Sequence, residues 1–340
     1  MSNHRFVTYN ILSSHLAEPE HFVKCDRADL DPETRLNRIV AKLLPEIAQN
    51  SIICLQEVST LWAGELHRFF ANHNYYLVTG LYGHQKNGYM GVAIAFPLGK
   101  YQMLEAKIER LSDSRDWPKL SPLAVAARNF LQGFVRLWDK KKAKSLEHAI
   151  AHAQRRTNQV IFLRLDDKAQ GDRFGVATYH MPCVYYAPKV MTIHTSMLVQ
   201  RIQELAQNDP FVLTGDFNIR PAESQYQLIT TGSMASNHPA YPPILKGDRW
   251  RPELATPLRS AYREAFGQEP EFTNYAQTRK KAPFQETLDY IWLSPQWQVV
   301  SALPLPTRDQ VTSSFPNPEQ PSDHILLAVE MTLKKLGSSI

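Results

Sequence analysis

Ser322-Asp323-His324 opens the apolar run Ile325-Leu326-Leu327-Ala328-Val329, and this stretch decides how the chain is read. Two others share its design. Thr214-Gly215-Asp216-Phe217-Asn218 follows Phe211-Val212-Leu213, and Gln56-Glu57 follows Ile52-Ile53-Cys54-Leu55. Each sets residues able to hold a divalent cation or a phosphate at one end of a short β-rich run. Ends of this kind, scattered along the whole chain, describe one site built at the edge of a sheet. The expected chemistry is metal-dependent cleavage of phosphate esters, because a hard cation on oxygen ligands neutralises charge on the phosphoryl group.

Outward from these stretches, strand-like runs alternate with helical patterns. Strands are expected at 6–12, 52–55, 75–81, 91–96, 160–165, 173–180, 211–214, 288–293, 298–302 and 325–331. Over 33–49, Leu36, Ile39, Val40, Leu43 and Ile47 share one helical face, with Asp31-Pro32 as the start signal and Pro45 expected to kink or end the helix early. Further helices are expected at 61–71 and 189–206, and a long helix or helical pair over 120–154 carrying Phe130, Phe134 and Trp138 at i, i+4 and i+8. The proline-rich stretches 239–257 and 304–321 read as surface loops. Neither repeats nor an interdomain linker are visible, so one α/β catalytic domain over 1–340 is expected, with a basic helical insert at about 105–158.

The 340 residues are 43% hydrophobic and carry a net charge of +5. Between Glu105 and Asn158 there are 12 Lys/Arg and 6 Asp/Glu, so this segment supplies the whole positive balance and the remainder is net −1. It is either a basic surface facing an anionic partner or a solvated helix face. Cys25, Cys54 and Cys183 are odd in number and lack metal-finger spacing, which argues against a disulfide framework and for a reducing compartment. Neither a signal-like segment nor an apolar run long enough to span a bilayer is present, and a cytoplasmic location is expected.

Asp216 and Asn218, two apart on extended backbone, would face the same side with Phe217 turned into the core, and Gly215 would let the backbone approach a ligand. Glu57 and Asn10 each close a strand-like run, and His180 ends another. His324 follows Asp323, a further candidate metal ligand, and Asp289 lies in Thr287-Leu288-Asp289-Tyr290-Ile291-Trp292. A carboxylate bonded to an imidazole fixes its tautomer and raises its basicity, which suits acid–base work.

On these motifs the chain resembles the endonuclease/exonuclease/phosphatase superfamily, from Thr8-Tyr9-Asn10-Ile11-Leu12 to Pro321-Ser322-Asp323-His324. Leu55-Gln56-Glu57-Val58, Thr157-Asn158-Gln159-Val160, Gly215-Asp216-Phe217-Asn218, Phe272-Thr273-Asn274-Tyr275 and Thr287-Leu288-Asp289-Tyr290 are most similar to its deadenylase and nocturnin branch. The resemblance implies an α/β fold, a four-layer α/β/β/α sandwich of two packed mixed sheets flanked by helices. It implies Mg²⁺, with Mn²⁺ as a substitute, held mainly by Glu57 with Asn10. Asp216, Asn218 and His324 would hold a second metal or the scissile phosphate, His180 would bind the phosphate, and Asp289 would orient His324. Whether Asp216 or the Asp289–His324 pair activates the water stays open. Phe284 matches a base-stacking position, and Asn158 and Tyr185 are further candidates for binding substrate. Where deadenylases carry an acidic, Trp-containing stretch after the first catalytic His, this chain has Met181-Pro182-Cys183-Val184-Tyr185-Tyr186.

The expected function is a Mg²⁺-dependent phosphodiesterase acting on single-stranded RNA from the 3′ end. The alternatives are a nucleotide or dinucleotide phosphomonoesterase and, third, a phospholipid or inositol-phosphate hydrolase whose insert lies on a membrane surface. A phosphate-binding adaptor with a dead site is disfavoured, because it would have no chemical need for a full set of metal and acid–base groups. No fixed protein partner is indicated.

Overall fold

The computed structural model describes residues 3–117, 146–245, 247–279 and 282–334. The strands are β1 (His4–Asn10), β2 (Ile52–Val58), β3 (Tyr75–Leu81), β4 (Gly91–Pro97), β5 (Tyr101–Arg110), β6 (Gln159–Asp167), β7 (Arg173–His180), β8 (Phe211–Asp216), β9 (Arg259–Ser260), β10 (Asn274–Ala276), β11 (Phe284–Glu286), β12 (Asp289–Leu293), β13 (Trp297–Ala302) and β14 (Leu327–Leu333). The helices are α1 (Arg27–Leu30), α2 (Pro32–Ala48), α3 (Thr60–Asn72), α4 (Leu146–Gln154), α5 (Pro188–Ala206), α6 (Ser224–Thr231) and α7 (Ala261–Phe266).

Two six-stranded mixed sheets form the centre, in the orders β13-β14-β1-β2-β4-β3 and β5-β6-β7-β8-β12-β9. Their inner faces meet in one apolar layer, where Phe6, Ile52 and Ile94 of the first sheet pack with Leu163, Val176 and Ile291 of the second. A second layer seals the first sheet under α2 and α3 through Ile39, Leu43, Trp62 and Leu66. A third seals the other sheet under α5 and α6 through Ile193, Leu198, Ile202 and Leu228. The result is the expected four-layer α/β/β/α sandwich. Strands covered on both faces must be apolar along their length, which is why 52–55 and 211–214 read as continuous hydrophobic runs.

In each sheet one central pair is parallel, β1 with β2 and β7 with β8. Parallel neighbours end on the same side. The carboxyl ends of all four strands therefore arrive at one rim of the sandwich, which is what places the site.

Several details depart from the sequence reading. Helix α2 runs to Ala48 through Pro45, whose missing N–H costs one bond near the helix end. Its start is as expected, with the Asp31 carboxylate accepting from the Thr34 N–H at 2.8 Å. Residues 101–110 form an edge strand paired along its length with β6, so the excursion begins after Arg110 and not at Glu105. Glu105, Lys107 and Glu109 hid that strand, because an edge strand keeps charged residues outward and shows little apolar run. Within the expected 120–154 helical stretch, α4 covers Leu146–Gln154, while Phe130, Phe134, Trp138 and Lys140 to Lys142 lie outside the described residues.

Gly215 has φ +144°, and a Cβ there would collide with the Tyr179 carbonyl oxygen of the neighbouring β7. The glycine is required by strand–strand approach, not by a ligand as expected. Behind the rim, the Tyr179 hydroxyl and the Ala153 carbonyl flank the imidazole of His194 on α5 at 3.0 and 3.1 Å. A carbonyl only accepts, so His194 Nε2 donates to Ala153 and Nδ1 accepts from Tyr179. Burial pushes the His194 pKa down to about 3.

Gly215→Ala should destabilise the fold by about 2–4 kcal/mol, from the clash and the disfavoured φ, read as a lower thermal midpoint. His194 is neutral in the fold and protonates readily only when released. Its contribution is complete above its unfolded pKa of 6.5 and is lost as the pH falls toward its folded value of about 3. The urea midpoint should fall across that acid range, less steeply in His194→Gln; equal slopes would contradict a buried neutral imidazole.

Candidate active site

Asn10 ends β1, fully buried, and its Nδ2 donates to Glu57 Oε1 at 3.1 Å and to Asp216 Oδ2 at 3.0 Å. One amide thus joins a carboxylate of its own sheet to one from the facing sheet. Glu57 is the extra residue of a β-bulge between Gln56 and Val58, at φ +61°. The bulge turns its side chain to the rim, at a backbone strain of about 1–3 kcal/mol for a non-glycine residue. Its second oxygen accepts from the Ser13 N–H at 3.0 Å.

Asp216, the last residue of β8, lies across the ladders from His180 and from Asp289. Its Oδ1 accepts from the Asn218 N–H at 2.9 Å. Asn218 has φ +50° and donates its amide to the Met181 carbonyl at 2.9 Å. The expected extended Asp-Phe-Asn geometry is replaced by an Asx turn, in which Asn218 braces Asp216 and Phe217 is buried. His180 Nε2 lies 3.4 Å from Asp216 Oδ2 and 4.0 Å from Glu57 Oε1.

His324 Nδ1 bonds Asp289 Oδ2 at 2.8 Å, leaving Nε2 3.7 Å from Asp216 Oδ2. The same Asp289 oxygen accepts from the Thr273 hydroxyl at 2.6 Å, and that hydroxyl accepts from the Leu288 and Asp289 N–H groups. The tautomer and aim of His324 are therefore fixed three residues deep.

Sequence reasoning missed the residues that hold the rim together. Arg35 on α2 is fully buried over Trp62 and donates to the carbonyls of Ile11, Leu12 and Pro321. It pins the loop after β1 to the segment entering Asp323-His324. The Ser322 hydroxyl donates to the Asn10 carbonyl at 2.6 Å and closes the same seam. Gln56, beneath Glu57, donates to Thr8 and Thr178 at 3.0 Å each and crosses between sheets. A charged residue on a helix face gives no local sign of such use; Arg35 breaks the apolar stripe of α2, and that interruption is the only sequence trace.

Burial pushes the Asp216 pKa up to about 6, against the pull of His324 and His180. Burial also raises Asp323, whose Oδ1 is buried without a hydrogen-bond partner, as is Asp289 Oδ1. Burial alone would lower His324, but Asp289, Asp216 and Asp323 together raise it well above the ordinary value. So many carboxylates in so little water favour a cation, and Glu57, Asp216 and Asp323 offer hard oxygen donors that suit a divalent one. Asn10, expected as a further ligand, turns its amide nitrogen to the two carboxylates and its oxygen to the Leu12 N–H at 3.0 Å, so it bridges the acids and presents no oxygen to a metal. Among the described residues, Asp216, Asp289 and His324 bring possible ligand atoms within 4.8 Å of one another. Because His324 Nδ1 and Asp289 are committed to each other, that trio reads as a bonded pair facing Asp216. A cavity of about 630 Å³ opens beside Glu57 and Asp323, lined also by Leu12, His15, Phe22 and Lys86.

The three expected substrate residues sit apart from this cluster. Phe284 is exposed on the β10–β11 hairpin, and Tyr185 is exposed after His180. Asn158 is buried, its amide nitrogen turned onto the His180 carbonyl at 2.9 Å and the Tyr82 hydroxyl at 3.4 Å.

A model of the endonuclease/exonuclease/phosphatase family matches residues 7–324. The chain belongs to this family. Enzymes of the family generally depend on a divalent metal. Among curated relatives, the CCR4-Not complex 3′-5′-exoribonuclease subunit Ccr4 of Aspergillus niger is 28% identical, over 96% of this chain and 51% of its own length. Its counterpart in Aspergillus oryzae is also 28% identical, over 96% and 47%. The chain thus spans about half the length of the curated relatives it matches. Among solved structures, ANGEL2, described as a 2′,3′-cyclic phosphatase, aligns with a TM-score of 0.73 at 20% identity, covering 97% of this chain and 96% of that one. The human nocturnin catalytic domain with bound sulfate aligns at 0.63 and 20%, covering 98% and 94%. These two establish likeness of fold.

Arg35→Met should cost about 2–4 kcal/mol, because main-chain carbonyls are left buried without donors. Hydrogen exchange should quicken at 11–12 and 321–324 before the sheets open; uniform protection would show that Arg35 does not hold the rim.

Proposed function

We propose that this protein is a divalent-cation-dependent phosphodiesterase that shortens single-stranded RNA from its 3′ end. The observation that carries the reading is the convergence of Asn10, Glu57, His180, Asp216 and Asp289, from five strands, with His324 on one buried rim. It is supported by the match of nearly the whole chain to relatives named as 3′-5′-exoribonuclease subunits.

Mg²⁺, with Mn²⁺ as a substitute, would be held by Glu57, Asp216 and Asp323, with Asn10 holding Glu57 and Asp216 in place, and when bound it would neutralise charge on the phosphoryl oxygens. His324, its Nδ1 held by Asp289, turns Nε2 toward the place of a phosphate oxygen. His180 Nε2 donates on the other flank of Asp216. Asp216, whose carboxyl burial pushes up to about 6, is suited to accept a proton from the attacking water. Asn218 keeps that carboxylate aimed. Phe284 and Tyr185 are exposed aromatics that a base can stack on, and stacking tolerates any base. Cys25, Cys54 and Cys183 are all unpaired, which supports a reducing, cytoplasmic setting.

With 5′-labelled, poly(A)-tailed RNA, Mg²⁺ should give a ladder shortening from the 3′ end, abolished by EDTA. Glu57→Ala should lower kcat/KM by about 100-fold or more, partly restored by excess Mg²⁺, whereas Asp216→Ala should not be rescued. An unchanged rate in both variants would remove the site; phosphate release from a dinucleotide phosphate without a ladder would replace the reading with a phosphomonoesterase.

A further inference from the structure

Antiparallel register carries the chain upstream of β6 past the mouth of the site. Val160 pairs with Tyr179, and Asn158 donates to the His180 carbonyl at 2.9 Å. Upstream of Asn158 the ladder ends and the chain turns into α4, the Arg156 N–H donating to the Ala153 carbonyl at 3.2 Å. The main chain of Arg156 is pinned: its carbonyl accepts from Arg110 Nε at 2.7 Å and from the Ser112 hydroxyl at 3.0 Å. Its side chain is not. Among the described residues the Arg156 guanidinium has no carboxylate and no hydrogen-bond partner, and its Nε is buried.

Four other arginines of this half of the fold are paired. Arg110 pairs with Asp113, Arg115 with Asp248, Arg164 with Asp209 and Arg201 with Glu109. A half-buried guanidinium held without a counter-ion carries a desolvation cost that an incoming anion relieves. Its charge is already felt at Tyr82 and Cys183, both beside the rim. The same edge carries Tyr185 and Tyr186, 72% and 69% exposed and edge to face at 5.8 Å, with Tyr186 stacked on His152 of α4 at 6.5 Å. Exposed aromatics beside a free guanidinium match the chemistry of a single strand, with π-faces for bases and a planar fork for a phosphate.

We propose that Arg156 binds substrate, its guanidinium holding a backbone phosphate of the RNA next to the scissile one, where the strand passes Tyr185 and Tyr186. The identity of the strand rests on the function proposed above; the capture of a phosphate does not rest on cleavage.

The test is therefore a binding measurement made in EDTA. Fluorescent oligoadenylate is titrated with wild-type protein, Arg156→Gln and Arg156→Lys over a range of salt concentrations, with thermal midpoints measured in parallel. Arg156→Gln should weaken binding about tenfold at low salt and flatten the log–log salt slope by about 0.7, one phosphate contact on a single strand. Arg156→Lys should keep the slope and lose part of the affinity, since an ammonium lacks the fork. The proposal is overturned if Arg156→Gln matches wild type, if both variants lose affinity together with thermal stability, or if wild type does not bind the strand. Arg156-dependent binding by a protein that yields no RNA ladder would sink the exonuclease reading and leave the phosphate contact standing. A ladder unaltered in rate and binding by Arg156→Gln would do the reverse.

Discussion

Carboxylates from two separate sheets meet on one rim with little water between them, and the rest of the structure is arranged around that encounter. The Asn10 amide spans Glu57 and Asp216, and without it two buried anions would face each other directly. Every further device manages the same excess of negative charge. Asp289 shares its charge with His324 and Thr273, the main chain of Asn218 caps Asp216, and Ser13 caps Glu57. Burial raises the pKa values of Asp216 and Asp323, and a rim crowded with carboxylates is the setting the proposed function assigns to a cation.

That encounter demands rigidity, and the rigidity comes from polar groups buried beneath the rim. Gln56 crosses between the sheets, Arg35 gathers three main-chain carbonyls, and Ser322 ties the final loop to the end of β1. Buried polar groups of this sort are stable only when satisfied, so each fixes its neighbours to one arrangement. The strained backbone at Glu57 and Asn218 persists because this frame over-determines it. Outside the frame the surface is looser in design: Tyr185, Tyr186 and Phe284 project into solvent.

Most of the sandwich was legible because its strands are covered on both faces. The runs 75–81 and 173–180 coincide with β3 and β7, and the apolar stripes of α2, α3 and α5 mark their buried sides. Edge strands were not legible in the same way. β5 carries alternating charge because one side and one edge face water, and the short β9, β10 and β11 have too few residues for any period to show. At the site, residue types and their place at strand ends identified Glu57, Asp216 and His324. The expected geometry between them was wrong where a turn intervened, because Asn218 in the left-handed region cannot be told from Asn218 in a strand by composition alone.

The sequence by itself determined which runs would be buried, and therefore the layers, and it marked the polar residues that could stand at their ends. Hydrophobic period and side-chain chemistry are local properties, read without knowing any partner. Only the tertiary structure decided that β1 lies parallel to β2, and β7 to β8, so that their ends share a rim. It alone decided that Gly215 serves Tyr179, that Arg35 serves the loops, and that Arg156 has no partner among the described residues. Those facts are relations between residues far apart in the chain, fixed by packing, and no stretch of sequence carries them.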